Sequence, residues 1–221
     1  DALFSAMNRE KFWFDLKPNN LKQVLDIIEP GKNTYIDIDG LKSISEAFSA
    51  LIDQKSKFTF EHSQGVARIT KNLAIYSGYD HLMVKKLQIA ANLHDIGKFI
   101  VPNSILEKPA RLTKDEFQVI KSQVYYTKRI LMQVNGLGRL ADWAGNHHER
   151  LNGTGYPEKL DYRTLTKEDQ IIAISDIYQA LTEKRPYREG LIHDKAINIM
   201  LGMAKEGNIS KSMVLDLNQL I

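Results

Sequence analysis

Six side chains have the types and spacing to hold a cation. His62 lies in FEHS, His94 and Asp95 are adjacent in LHDIGK, and His147 and His148 are adjacent in HHERLNGTGYP. Asp176 is the single carboxylate in the apolar run IIAISDIYQAL. Burying an unpaired carboxylate costs several kcal/mol, so on a helix this apolar Asp176 requires a positive partner. A metal is one answer. A buried Arg or Lys is another, and for an isolated carboxylate it is the commoner one.

His94 and Asp95 set an imidazole beside a carboxylate at the end of a helical run. Both can reach one divalent ion of the kind that accepts mixed nitrogen and oxygen ligands: Fe(II), Mn(II), Ni(II) or Zn(II). Alone, the pair reads more simply as part of a helix end whose dipole is complemented by His94 and Lys98. Lys98 projects from the same face as His94 if the last turn stays helical, though Gly97 interrupts it. His147 and His148 diverge by about 100° on a helix. They suit two ions, one ion if the helix ends there, or simply a surface pair. His81 and His193 sit in polar strings and read as solvated. Together, four imidazoles and two carboxylates from four segments suffice for one metal, and for a second that shares a bridging carboxylate.

The elements that must position these groups read as helices. Leu21, Val24, Leu25 and Ile28 give an amphipathic helix within residues 1–30, stopped by Pro30-Gly31. Residues 31–39 form a connector with room for a short extended piece. Helical spacing resumes from Leu41 to Leu51 and again over 59–77, with Gly78 as a stop. Asp80 caps a helix running to His94-Asp95. TKDE at 113–116 resembles a capping box ahead of Phe117, Ile120 and Val124. A further run spans about 129–148, broken at Gly136 or Gly138. Residues 149–165 are a Gly-, Asn- and Pro-rich loop. TKED at 166–169 opens the helix that carries Asp176, and two helices close the chain over 193–205 and 209–221. No sustained period-two alternation occurs, so the fold class is all-α.

Composition excludes several functions. The chain has 221 residues, 43% hydrophobic and 26% charged, which rules out disorder and low complexity. With no cysteine, disulfides, zinc fingers, iron–sulfur clusters and thiol nucleophiles are excluded. A net charge of +3 is far from the footprint of a dedicated nucleic-acid binder. No stretch reaches the roughly 18 apolar residues of a membrane span. The opening DALFSAMNREKFWFDL has neither Met nor a leader pattern and reads as a piece of something longer.

The ordered set His62, His94-Asp95 and Asp176 resembles the HD phosphohydrolase superfamily. HHERLNGTGYP, with Gly155-Tyr156-Pro157, and RPYR at 185–188 resemble its HD-GYP branch. The resemblance covers roughly residues 46–205. It implies an HD-type helical bundle with additional N-terminal helices: residues 1–45 a segment or linker from a longer protein, 46–221 the HD-GYP domain. REKFWFDL resembles the tail of an upstream half found in longer members.

The activity so implied is hydrolysis of cyclic di-GMP to pGpG or GMP, with cyclic GMP-AMP the substrate of some members, in bacterial cytoplasmic second-messenger signalling. It implies one or two divalent ions per chain, iron or manganese foremost, nickel or zinc otherwise. His62, His94, Asp95 and Asp176 would surround one ion. Asp95 would bridge to a second, held also by His147 and His148. Asp95 and Lys98 would be catalytic. Lys98, Tyr156, Arg185 and Arg188 would meet substrate. Implied partners are the cyclic dinucleotide and a GGDEF cyclase or upstream sensory domain, with no DNA and no membrane within this chain.

Four positions depart from the resemblance. Gln123, in KSQVYYTKRIL, stands where a further histidine is expected, which weakens or removes the second ion. Asn152 replaces the signature Asp. Phe58 replaces the Glu of three-metal members, so a third ion is not expected. Gln179 replaces a frequent carboxylate and is not expected to touch metal. The alternatives are a degenerate domain that binds cyclic dinucleotide or a diguanylate cyclase without turnover, and a mononuclear phosphohydrolase acting on nucleotides or monophosphates.

Overall fold

The computed structural model describes residues 35–55, 62–184 and 189–221. The helix expected within residues 1–30 lies outside them, as do Phe58, Arg185 and Arg188. The chain divides into two compact units, residues 1–37 and 38–221. Of the first, residues 35–37 are described and carry no helix or strand. In the second, the described elements are α1 (Ile38–Lys55), α2 (His62–Tyr76), α3 (His81–Leu93), a 3₁₀ turn (Ile96–Ile100), α4 (Asn103–Leu106), α5 (Lys114–Met132), α6 (Gly138–Gly145), α7 (Lys167–Thr182), α8 (His193–Lys205) and α9 (Lys211–Leu220). No strand occurs among the described residues, only an isolated bridge between Asn152 and Asp161. The fold is therefore all-α, as the periodicity requires.

Helix starts follow local chemistry. Asp80 accepts from the Met83 amide, and Thr113–Glu116 and Thr166–Asp169 form reciprocal capping boxes. The first described helix begins at Ile38 rather than Leu41, with Asp39 in its first turn, and runs unbroken through residues 45 and 46. The separate helices expected around Val124 and Ile130 are one element, α5. The chain breaks only at Gly136, whose φ of 90° is left-handed, before α6. α6 then ends at Gly145, so His147 and His148 lie just past a helix rather than on one.

α7 is the central element. Its residues from 169 to 176 are all buried, as expected for a helix apolar on nearly every face. It packs against α2, α6, α8 and α9, while α3 packs against α1, α2 and α6. Ile52, Leu73, Leu87, Ile89, Ile171, Ile172, Ile174, Met200 and Leu217 are fully enclosed between them. Each such side chain contributes about 1.5–3 kcal/mol relative to exposure. Asp176 thus sits at the end of the most deeply buried stretch of the bundle. Among the described residues no helix is long and apolar enough to cross a membrane.

Candidate metal centre

His94 and His147 are set by the same device. Each lies within two residues of a helix end, and its Nδ1 lies 2.7 or 2.6 Å from the carbonyl three residues back, Ala91 for His94 and Ala144 for His147. A carbonyl only accepts, so Nδ1 carries the proton and the Nε2 lone pair points the other way. Both Nε2 atoms are buried and make no hydrogen bond. They face one carboxylate: Asp95 Oδ2 is 3.2 Å from His94 Nε2, and Asp95 Oδ1 is 4.0 Å from His147 Nε2. The two oxygens of Asp95 are thereby shared between the two histidines. Lys98, from the 3₁₀ turn, pairs its ammonium with Oδ2. The turn has replaced the helical continuation that would have set Lys98 beside His94.

His62, at the start of α2, bridges two carboxylates. Its Nε2 is 3.1 Å from Asp176 Oδ1 and its Nδ1 is 2.8 Å from Glu183 Oε2. Asp176 Oδ1 is also 3.9 Å from His94 Nε2. Two groups of donor atoms result, each with its atoms within 4.8 Å of one another: His62, His94 and Asp95; and His147, His148 and Asp176. Asp176 therefore joins the second group as well as touching the first. Among the described residues the partner it requires is supplied by histidines rather than by a buried Arg or Lys.

Among the protein's own groups, the charges follow from burial and neighbours. Burial works against charge on His62, but the hydrogen bonds it donates to Asp176 and Glu183 outweigh it and hold the imidazole up at about 9. Burial also opposes charge on Asp95 and Asp176. Asp95, beside Lys98, and Asp176, which accepts from His62, are nonetheless held well below the usual carboxylate range. Burial drives His147 well below its ordinary value and His148 down to about 4, so both present neutral imidazoles.

Buried carboxylates, neutral imidazoles and two orphaned Nε2 atoms fit a divalent cation that takes nitrogen and oxygen donors. Saturation with Mn(II) at about 100 times its Kd is expected to add about 2.7 kcal/mol of stability. For a domain of this size that raises Tm by about 5–10 °C. Thermal unfolding with Mn(II) and then with chelator checks this, and an unmoved Tm would count against the site.

The shell around the donors was only partly legible beforehand. Thr127 of α5 donates to the His94 carbonyl and accepts from the Gly97 amide, each at 3.0 Å, locking the His94-Asp95 turn. Asp169 caps α7 and also accepts from Asn146 at 3.0 Å, which fixes the residue ahead of His147. Glu149 is wholly buried and accepts the amides of Glu158 and Leu160 at 2.7 and 2.9 Å, pinning the loop that carries Tyr156. The Tyr156 ring lies 4.9 Å from that of His148, and burial pushes its hydroxyl up to about 12. A motif string reveals such residues only through their neighbours, because most of their partners are backbone atoms.

The departures resolve differently from one another. Gln123 is buried on α5, with its Oε1 lacking any hydrogen bond. Gln179 reaches toward Glu183 at 3.5 Å and packs over Gly65. Asn152 is exposed and works as a brace: its amide donates to the Glu206 carbonyl at 3.1 Å and to Asn208 Oδ1 at 3.0 Å, and its oxygen accepts from Thr154. A carboxylate could not make those donations. Asn152→Asp is expected to cost about 1 kcal/mol in urea unfolding without improving turnover. A gain in turnover would show that the loop needs the acid. His81 is exposed as expected, but His193 is not simply solvated. It links Tyr178 and Asn218 at 2.9 and 3.1 Å, joining α7 to α9.

Histidines and carboxylates from the start of α2, the turns after α3 and α6 and the interior of α7, gathered inside a helical bundle, form a cluster of the HD type that could hold a divalent cation. A family model described as "HD domain" matches residues 46–211, and the chain belongs to that family, in its HD-GYP branch. It is 35% identical over 196 residues to the 3'3'-cGAMP-specific phosphodiesterase 1 of Vibrio cholerae serotype O1, covering 88% of this chain and 46% of that protein. It is also 35% identical over 173 residues to a cyclic di-GMP phosphodiesterase of Thermotoga maritima, covering 76% of this chain and 47% of that one. Among solved structures, a cyclic GMP-AMP-specific phosphodiesterase of V. cholerae superposes with a TM-score of 0.56 at 28% identity, over 98% of this chain and 49% of the other. The chain spans about half the length of these relatives.

Proposed function

We propose that this chain is a metal-dependent phosphodiesterase that opens a guanine-containing cyclic dinucleotide, cyclic di-GMP foremost, to the linear dinucleotide. The observation that carries this reading is the approach of two buried, hydrogen-bond-free Nε2 atoms, of His94 and His147, to the two oxygens of Asp95. The named relatives act on cyclic GMP-AMP and cyclic di-GMP, which share a guanosine, and this supports the substrate class.

His62, His94, Asp95 and Asp176 would hold one ion. His147, His148 and Asp95 would hold a second, with the Gln123 oxygen as the remaining donor. Iron or manganese suits this donor set. Bound there, a divalent ion lowers the pKa of a coordinated water and neutralises phosphate oxygens. The rest belongs to the chain's own groups. Hydrolysis places a hydroxyl on phosphorus and a proton on the leaving 3'-oxygen. Lys98, already against Asp95, can turn its ammonium to a non-bridging oxygen and offset the charge that builds there. Tyr156, its ring tilted against that of His148, walls the site. Arg185 and Arg188 would take a guanine edge, for which guanidinium forks are suited.

The test is anaerobic loading with Mn(II) or Fe(II), incubation with cyclic di-GMP and with cyclic GMP-AMP, and chromatography of the products. A linear dinucleotide is expected. A folded, metal-loaded chain that yields no product overturns the reading, and Gln123→His then asks whether that one donor is what turnover lacks.

A further inference from the structure

Two lysines of α5 reach toward the loop that carries Tyr156, and they are held in different ways. Lys128 is braced by carboxylates, 3.0 Å from Glu158 and 3.2 Å from Asp142, and so ties the loop to α5 and α6. Lys121 has no carboxylate partner among the described residues. Its ammonium lies 4.8 Å from the ring centroid of Phe117, one turn earlier, and 5.1 Å from that of Tyr156. The Tyr156 ring is in turn 4.9 Å from the His148 ring. Ring faces hold a cation in place without neutralising it or consuming its N–H donors as a carboxylate does. Lys121 is therefore a positioned charge, one aromatic ring removed from the metal-binding histidines.

We propose that Lys121 receives the phosphate of the cyclic dinucleotide that is not being cut. This rests on the reading above. A cyclic dinucleotide carries two phosphodiesters, each a monoanion. When one lies at the histidine–carboxylate cluster, the other needs a positive group at the rim. The other described cations near the cluster have other work: Lys98 lies against Asp95 and would serve the phosphate being cut, and Arg150 donates to the carbonyls of His147 and Glu149 at 3.2 and 2.8 Å. Lys121 has both an unspent charge and a flexible stem that can follow a phosphate. The competing role is a brace for Tyr156, but Lys128 already supplies that tie through Glu158.

The experiment compares wild type, Lys121→Gln and Lys121→Arg, loaded with Mn(II), on cyclic di-GMP and on bis(p-nitrophenyl) phosphate, a diester with a single phosphate. Lys121→Gln is expected to raise KM for the cyclic dinucleotide about tenfold, as loss of a charge-assisted hydrogen bond does. It should leave kcat, metal content, Tm and cleavage of the one-phosphate diester unchanged, and Lys121→Arg should restore most of the KM. Equal losses on both substrates, or a fall in Tm or metal content, would make Lys121 a brace and overturn the inference. So would unchanged kinetics in a wild type that cleaves cyclic di-GMP. A wild type that cuts the small diester but neither cuts nor binds cyclic dinucleotides overturns the substrate reading itself, and this inference with it.

Discussion

Replacing Asp95 with Asn is expected to strip both metal and turnover from the protein while leaving the bundle folded. Asn has nearly the same shape, so the packing beside His94 and Lys98 can persist. The charge cannot. Asp95 is the carboxylate whose two oxygens are divided between His94 Nε2 and His147 Nε2, so its loss reaches both donor groups at once. Losing an outer partner of a metal ligand costs roughly 10- to 100-fold in affinity or activity. Losing a shared ligand should exceed that, on the order of a thousandfold or more in each. Asp176→Asn is the informative comparison. Asp176 also stands near both groups, but its closest contact is His62 at 3.1 Å, and His62 keeps Glu183 as a second partner. We expect that variant to retain more metal than Asp95→Asn. Metal content by mass spectrometry, with Tm of the metal-free proteins as the folding control, decides it. Wild-type stoichiometry in Asp95→Asn would remove Asp95 from the site.

Much of this centre was legible in the sequence because ligand chemistry is local. His94-Asp95 and His147-His148 are adjacent pairs, and Asp176 declares itself as a lone charge in an apolar run. The caps at Asp80, Thr113 and Thr166 were readable for the same reason: their partners are a few residues away. What escaped notice depends on distant segments meeting. Thr127 matters because it touches the turn after α3, and Glu183 because it reaches back across the fold to His62. Neither has a distinctive neighbourhood in the chain. The joining of two expected helices into α5 was missed for a different reason: nothing local breaks the chain between Val124 and Ile130, and helix length is then set by tertiary packing. His193 shows the reverse error, a polar string whose histidine is drawn into a link between two helices.

That dependence on distant packing makes Gly97→Ala the substitution expected to damage stability most. Gly97 follows the His94-Asp95 turn, where α5 lies directly upon it. A methyl group there would run into the backbone carbonyl of Gln123 and come within 2.8 Å of the Thr127 amide nitrogen. Helix backbone cannot swing aside as a side chain can, so α5 as a whole must withdraw. Overpacking of this kind costs about 1–3 kcal/mol. Withdrawal would also stretch the two Thr127 hydrogen bonds that lock the turn, about 1 kcal/mol each. A total of about 3 kcal/mol or more lowers Tm by roughly 6–12 °C in a domain of this size. Because the turn carries His94 and Asp95, Mn(II) affinity should fall with it, by about 10- to 100-fold. Gly138→Ala is the control, since nothing lies within 4 Å of the added methyl at the start of α6. It should be neutral, or stabilising by up to about 1 kcal/mol through the unfolded chain. If Gly97→Ala unfolds at the wild-type temperature and binds Mn(II) as tightly, α5 does not seat on the turn, and the support assigned to Thr127 falls with it.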